Sequence, residues 1–414
     1  TDFATGDRSM LMQWLNGLGR RDVRSAPAPS GPVRARGALA FAAVATLLGA
    51  SAVHAGDREQ ARRIHDRLAG VPPTDAVLDL MTADVTGGDP IAAANRAMEH
   101  RSFYDVTLKN FAMPWTNRDQ TVFAPLNDYV ATVIGMVRDD VPFYQVLYED
   151  ILYVGSGGGL PPYSPANNDH YAALERGFNL KQVLTRTTQS GASGLPANAT
   201  AGVMTTRAAA EAFFIAGTNR AMFRFTLVNH MCRDMEQVLD TTRPPDRIRQ
   251  DVSRSPGGDS RVFLNNCIGC HSGMDPMAQA FAYYDWDETA GRIVYTPGVV
   301  RPKYFNNDTT FAPGFATPDD QWDNYWRHGA NRLLGWDTTQ PASGHGAKSL
   351  GRELAGSEAF ARCQVEKVFR NVCFRPPSDE EDRAKVTAMT VSFKANQYRL
   401  KRVFAEAAAY CMGD

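Results

Sequence analysis

The stretch Asn265-Asn266-Cys267-Ile268-Gly269-Cys270-His271 is the most informative part of the sequence, because it contains a C-x-x-C-H motif. Two thiols at this spacing can reach the two vinyl groups of one porphyrin, and the next residue can then present its imidazole to the iron. The motif therefore predicts one covalently attached c-type haem. Cys267 and Cys270 bind the porphyrin, and His271 is the proximal axial ligand.

Two other kinds of site also use a C-x-x-C pair. A redox dithiol of the thioredoxin type lies in a βαβ pattern, and no such pattern surrounds Cys267. A zinc site needs four ligands, but the sequence has neither a second C-x-x-C nor an H-x₃₋₅-H pair. The histidine directly after Cys270 favours haem over both alternatives.

The flanks of the motif fit this interpretation. Residues 260–266 form an apolar-containing run at helical spacing that leads into Cys267. Asp275-Pro276 follows the motif within a few residues. We expect the carbonyl of Pro276 to orient the imidazole ring of His271, since ligating histidines are commonly fixed through their second nitrogen.

A targeting segment precedes the folded part of the chain. Residues 37–53 are apolar, follow Arg34 and Arg36, and end at Val53-His54-Ala55, which has small residues at its outer positions. This pattern predicts a signal peptide cleaved before Gly56, and the stretch is short for the alternative, an uncleaved membrane anchor. Because c-type haem is attached after export, signal and motif agree. We expect a periplasmic or extracellular protein.

Composition excludes some partners. The chain is 43% hydrophobic and 21% charged, and its 44 basic and 45 acidic residues give a net charge of −1. This balance does not favour nucleic acid as a partner. After residue 55, no apolar stretch approaches the roughly 20 residues of a membrane span, so we expect no transmembrane span in the mature chain.

Hydrophobic periodicity predicts a mainly α fold. Its parts are a signal peptide with an upstream segment (1–55), an N-terminal helical region (56–240), a cytochrome c-like haem region (241–355) and a C-terminal helical hairpin or three-helix unit (356–414). Predicted helices cover residues 57–68, 91–100, 126–137, 208–239 with a break near 217–219, 319–327, 357–374, 378–393 and 397–411. Predicted strands cover residues 293–295 and 310–311. Asp128 is a predicted helix cap, and Ser378 with Glu381 has capping-box spacing.

The sequence Cys270-His271-Ser272-Gly273-Met274-Asp275-Pro276, followed by Ala280-Phe281-Ala282-Tyr283-Tyr284-Asp285, resembles the planctomycete-type monohaem cytochromes c. These are multi-domain proteins with uncharacterised domains around one C-x-x-C-H. Residues 67–73, 147–153, 201–206 and 357–363 resemble further segments of that family in the same order. The resemblance covers nearly all of the chain after residue 55, except for residues 290–346. It implies a haem protein of redox function but no particular reaction.

The second axial ligand separates two classes of haem protein. Electron carriers usually bind the iron with a second Met or His, whereas haem enzymes leave that position open. Met204, in a glycine-containing turn before a helix, is the first candidate. His230 and His328 follow, although a buried Met or His is often only part of a core. Met231 and His345 complete the candidates.

Four cysteines remain after haem attachment, an even number that suggests two disulfides in an exported protein. Cys363 and Cys373 lie on one predicted helix about 15 Å apart, which is too far for a bond. In three antiparallel C-terminal helices the first and third run parallel. Their ends at Cys373 and Cys411 therefore meet, which leaves Cys232 for Cys363.

Three functions are compatible with this sequence. The first is a periplasmic electron-transfer protein that exchanges single electrons with a redox partner protein. The second is a haem enzyme, a peroxidase or oxygenase, because a simple carrier needs far fewer residues. The third is a haem-bearing subunit of a larger redox complex. No catalytic triad, phosphate loop or paired-carboxylate motif rises above background in the sequence.

Overall fold

A computed structural model describes residues 56–215, 219–247, 261, 263–302 and 315–413. The predicted signal peptide and the predicted strand at residues 310–311 lie outside these ranges. The described chain is mainly helical, as the sequence predicts. Its α-helices are α1 Asp57–Ala69, α2 Asp75–Thr86, α3 Pro90–Ala97, α4 Lys109–Ala112, α5 Asp128–Arg138, α6 Asp169–Glu175, α7 Leu180–Val183, α8 Gln189–Ser193, α9 Arg207–Phe213, α10 Arg220–Met231, α11 Ile268–Ala278, α12 Gly346–Ala355, α13 Glu358–Cys373, α14 Glu380–Ala395 and α15 Leu400–Tyr410.

Shorter elements connect these helices. The described residues contain three two-stranded antiparallel sheets: β1 Leu152–Gly155 with β2 Leu184–Thr187, β3 Tyr284–Asp287 with β4 Arg292–Tyr295, and β5 Gln321–Asp323 with β6 Ser343–His345. Two segments are π-helical, Phe103–Leu108 and Phe263–Cys267. Single 3₁₀ turns cover Met113–Thr116, Phe143–Leu147, Gly202–Thr205, Met235–Gln237, Gln279–Phe281, Tyr325–Arg327 and Ala330–Leu334.

The predicted helix at residues 319–327 is wrong. Strand β5 and the turn Tyr325–Arg327 occupy this stretch. The side chain of Asp319 accepts a hydrogen bond from the backbone N–H of Gln321 at 2.8 Å, which turns the chain away from a helix. The indole of Trp322 is buried and donates to Ser349 Oγ at 2.7 Å, so tertiary packing holds the strand.

The long helical pattern at residues 208–239 divides into α9 and α10. Asn219, directly before α10, has a left-handed backbone with φ of 57°. Its side-chain amide donates to the carbonyls of Phe281 and Tyr284 at 2.8 and 3.0 Å. Cys232, directly after α10, is also left-handed, with φ of 52°. These two residues set both ends of the helix that packs on α11.

Two predicted helix caps are replaced by their neighbours. Asn127 caps α5 by accepting from the N–H of Val130, and Asp379 caps α14 by accepting from the N–H of Asp382. The predicted caps were Asp128 and Ser378. The Asp128 carboxylate instead accepts the backbone N–H groups of Arg207 and Ala208 at 2.6 and 3.1 Å, at the start of α9.

The hydrophobic core is continuous across the three predicted regions. Buried side chains from Ala61 in α1 to Ala408 in α15 belong to one cluster. Phe404 of α15 lies edge-on to Phe103 and Phe111, with ring centroids 5.2 and 5.3 Å apart. Helix α15 therefore packs against the N-terminal region, at the π-helical segment Phe103–Leu108 and at α4. Within the described ranges, no helix combines the length and the apolar character needed to cross a membrane.

Candidate haem-binding site

The cysteines of the motif differ from the other four. Cys267 ends the π-helical turn Phe263–Cys267, and Cys270 lies in the first turn of α11. Both are half-buried and neither is in a disulfide. Because all six cysteines lie in the described ranges, the unpaired thiols of the protein are those of the motif.

The remaining four cysteines form two disulfides, in the pairing that the sequence predicts. Cys232 is bonded to Cys363, with Cα atoms 5.3 Å apart. Cys373 is bonded to Cys411, with Cα atoms 5.5 Å apart. Both Cα separations lie within the ordinary range for a disulfide.

Apolar side chains stand exposed beside the motif. Leu239 is 55% exposed and Leu264, three positions before Cys267, is 48% exposed. Leu239 lies against the motif itself, since a Cβ at Gly269 would be 3.1 Å from its Cδ2 atom. Burial raises the pKa of the Cys270 thiol. A large planar apolar group at this surface would cover side chains that otherwise face water.

His271 is fixed by a buried carboxylate. Its Nδ1 atom lies 3.1 Å from Oδ2 of Asp275, one turn further along α11. Asp275 also accepts two hydrogen bonds from Arg220 of α10, at 2.7 and 2.8 Å. Burial alone raises the pKa of Asp275, but the charges of Arg220 and His271 outweigh it and hold that pKa well below its ordinary value. The carboxylate therefore stays ionised and engages Nδ1 of His271, so a metal bound by this imidazole would be held through Nε2.

This contact replaces the expected one from Pro276. Pro276 lies inside α11, where backbone carbonyls point along the helix axis rather than towards a side chain. His271 and Asp275 have i,i+4 spacing, so a helix through the motif would have predicted their contact from sequence. No such spacing predicts the contact between Arg220 and Asp275, because Arg220 lies on another helix, α10.

Two residues, Trp326 and Asp240, brace α11. The indole of Trp326, which is fully buried, packs directly on Gly273, where a Cβ would lie only 1.8 Å from its Nε1 atom. Asp240 holds the start of the helix: its N–H donates to the carbonyl of Gly269 at 2.9 Å. Its carbonyl accepts from Ser272 Oγ, also at 2.9 Å.

Met204 and His230, the first two candidates for the distal ligand, meet in the core. They line one small cavity together with Tyr129, whose hydroxyl is 2.7 Å from Nε2 of His230. Burial lowers the pKa of His230 well below its ordinary value, and nearby Lys367 adds to the effect. The residues that line this cavity with them all lie outside α11.

The remaining candidates take different positions. Met231 is buried at the end of α10. His345 is exposed and its Nδ1 atom lies 3.1 Å from Oδ1 of Asp320. His328 is exposed between Trp326, which packs on α11, and Gly329, where a Cβ would lie 2.4 Å from Asp240 Oδ2. The chain neighbours of His328 thus touch α11 and the segment that packs on its start.

Comparison with known proteins finds no relative of this chain. No protein family model, curated protein or solved structure matches it.

The residues around the motif fit a c-type haem. The donor set comprises two unpaired thiols and one imidazole whose second nitrogen is already engaged. Four-coordinate zinc would need further ligands, and the described metal-type cluster of Asp319, Asp320 and His345 contains none of the motif residues. The arrangement is suited to a covalently held group with one axial ligand from α11.

Proposed function

We propose that this protein is a periplasmic monohaem c-type cytochrome that transfers single electrons to or from a redox partner protein. One observation carries the proposal. Cys267 and Cys270 are the unpaired cysteines, and they lie beside an imidazole that a buried carboxylate already orients. The resemblance to planctomycete-type monohaem cytochromes supports the same function.

Each residue of the site has a role in this proposal. The bound haem supplies one-electron chemistry between ferric and ferrous iron. Cys267 and Cys270 anchor it, while His271 donates from Nε2. Leu239 and Leu264 cover part of its apolar surface and keep water away, which would otherwise stabilise the more highly charged ferric state.

Covalent attachment is the decisive test. The full chain, expressed with its export segment in a bacterium that matures c-type cytochromes, should retain haem on the polypeptide after extraction with acidified organic solvent. Replacing both Cys267 and Cys270 with Ser should release the haem. The matched control replaces Cys373 and Cys411, which should leave attachment intact. Haem that washes out of the wild type would refute the proposal.

Coordination of the iron separates a carrier from an enzyme. A carrier should be low-spin and six-coordinate in the ferric state, with a Met or His opposite His271. Because the neighbours of His328 contact the surroundings of the motif, we expect His328→Ala to open the iron to cyanide. Met204 and His230 lie in the core, so Met204→Ala and His230→Ala serve as comparisons. A low-spin spectrum unchanged by His328→Ala would exclude His328 as the ligand.

A haem enzyme is the second candidate, and the Asp275 contact favours it. A carboxylate that accepts from the proximal imidazole makes this ligand a stronger donor, which assists cleavage of a bound peroxide. A wild-type ferric haem that is high-spin and binds cyanide rapidly would favour the enzyme over the carrier. Reduction of hydrogen peroxide by the purified holoprotein, with a one-electron donor dye, measures that activity directly.

A further inference from the structure

We propose that Asp275, held in place by Arg220, is a positioning residue that lowers the reduction potential of the haem through His271. This inference rests on the proposed function. It adds a property that C-x-x-C-H alone does not specify, namely which oxidation state of the iron the protein favours.

The geometry of the three side chains carries the inference. Asp275 has a completely buried side chain, and Arg220 is 21% exposed. Arg220 binds the carboxylate through two nitrogens, which donate from Nε to Oδ1 at 2.7 Å and from Nη2 to Oδ2 at 2.8 Å. Oδ2 also faces Nδ1 of His271 at 3.1 Å. A two-point contact of this kind fixes the plane of the carboxylate, so its position relative to the imidazole is fixed as well.

The chemical consequence follows from the kind of acceptor. A carboxylate attracts the proton on Nδ1 more strongly than a carbonyl does, so the imidazole gains electron density and donates more strongly from Nε2. A stronger donor stabilises ferric iron more than ferrous iron, which lowers the reduction potential. Burial enhances the effect, because electrostatic interactions are stronger where water is excluded.

Arg220 has a double role in this arrangement. Its positive charge partly offsets the carboxylate, but it also keeps Asp275 ionised and aligned in a buried position where a lone charge would be very costly. The site therefore presents the imidazole with a charged acceptor while keeping the buried pair neutral overall.

Asp234 supplies a matched control. It also forms a two-point contact with an arginine of α10, Arg224, at 2.7 and 2.6 Å. Its charge acts on the Cys270 thiol, so it lies near the motif, but its side chain is 40% exposed. Asp234→Asn therefore removes the same charge close to the motif while leaving the hydrogen bond to His271 in place.

The test measures the midpoint potential of the purified holoproteins at one fixed pH, after the covalent haem of each has been verified. Asp275→Asn should raise the potential clearly, and Asp234→Asn should shift it much less. Equal shifts, or no shift for Asp275→Asn, would overturn the inference while leaving the haem proposal intact. Loss of covalent haem from the wild type would refute the proposed function instead.

A second measurement covers the case in which Asp275→Asn does not fold. The wild-type ferrous haem, made five-coordinate by photolysis of its carbon monoxide complex, should show a high iron–histidine stretching frequency in resonance Raman spectra. A frequency equal to that of a haem whose imidazole bonds to a neutral carbonyl would contradict the inference.

Discussion

At the scale of single residues, the helix of the C-x-x-C-H motif depends on a close approach between Gly273 and the indole of Trp326. Gly273 follows His271 by two positions, and the indole of Trp326 occupies the space that any side chain there would need. Trp326 is fully buried and has aromatic contact with Phe223 of α10 at 5.9 Å. Displacing the indole would therefore cost free energy, because close-packed interiors do not accommodate additional atoms without strain.

Gly273→Ala should therefore destabilise the protein by about 1–3 kcal/mol, the usual range for overpacking a core. Urea denaturation followed by far-UV circular dichroism measures the change. Gly177→Ala is the control, because a Cβ there meets no atom within 4 Å, and its effect should stay within about 0.5 kcal/mol. Equal effects of the two substitutions would mean that Trp326 does not lie against Gly273.

At the scale of secondary structure, Asp128 connects two helices. It is the first residue of α5, yet its carboxylate accepts the first backbone N–H groups of α9. The N–H groups at a helix start have no partner within their own helix, so Asp128 satisfies donors that would otherwise be buried unpaired. Burial raises the pKa of Asp128, although its hydrogen bonds to the backbone oppose the shift.

Asp128→Asn should lower the free energy of unfolding by about 1–3 kcal/mol at acid pH, since an amide NH₂ cannot accept from the N–H of Arg207. The folded-state pKa of Asp128 is raised, so its stabilising effect is complete below the unfolded pKa and is lost as the pH rises through the folded pKa. The difference between wild type and variant should therefore shrink with rising pH. Urea denaturation across the carboxyl range measures it, with Asp169→Asn, at the exposed first residue of α6, as the control. A difference that grows with pH would contradict this prediction.

At the scale of the whole molecule, the two halves of the chain are held together covalently and by packing. The Cys232–Cys363 disulfide joins the end of α10 to α13. The first and last described segments also touch, as Gln60 donates to the carbonyl of Gly413 at 2.8 Å. Arg67 of α1 donates to the carbonyl of Val372 at 2.8 Å. Each predicted region is thus stabilised by contacts with the others.

The two disulfides should contribute unequally to that stability. Loop entropy predicts about 5 kcal/mol for the Cys232–Cys363 bond, which spans 131 positions, and about 4 kcal/mol for Cys373–Cys411, which spans 38. Replacing each pair with serines should therefore lower the thermal midpoint in both cases, and more for the longer loop. Peptide mapping without reduction checks the pairing directly. Free thiols at all four positions would exclude both bonds.

Local patterns predicted much of the fold because they depend on neighbours in sequence. The helices at residues 57–68 and 357–374 follow apolar spacing, and both are present as α1 and α13. The prediction of a helix at residues 319–327 was wrong because the buried side chain of Trp322 is held by tertiary packing. Hydrophobic periodicity along the sequence does not report such packing. At the site, Asp275 could be found from its spacing to His271. Arg220 could not, since only the packing of α10 on α11 brings it there.

The arrangement of cysteines has a consequence for the order of maturation. The C-x-x-C-H motif lies within the stretch of chain that the Cys232–Cys363 bond closes into a ring. A thioether can form only from a thiol, so an oxidant that joins Cys232 to Cys363 must spare Cys267 and Cys270, or a reductant must reopen them first. The proposed cytochrome therefore requires a secretory compartment in which oxidation and reduction act on the same polypeptide, each at its own pair of cysteines.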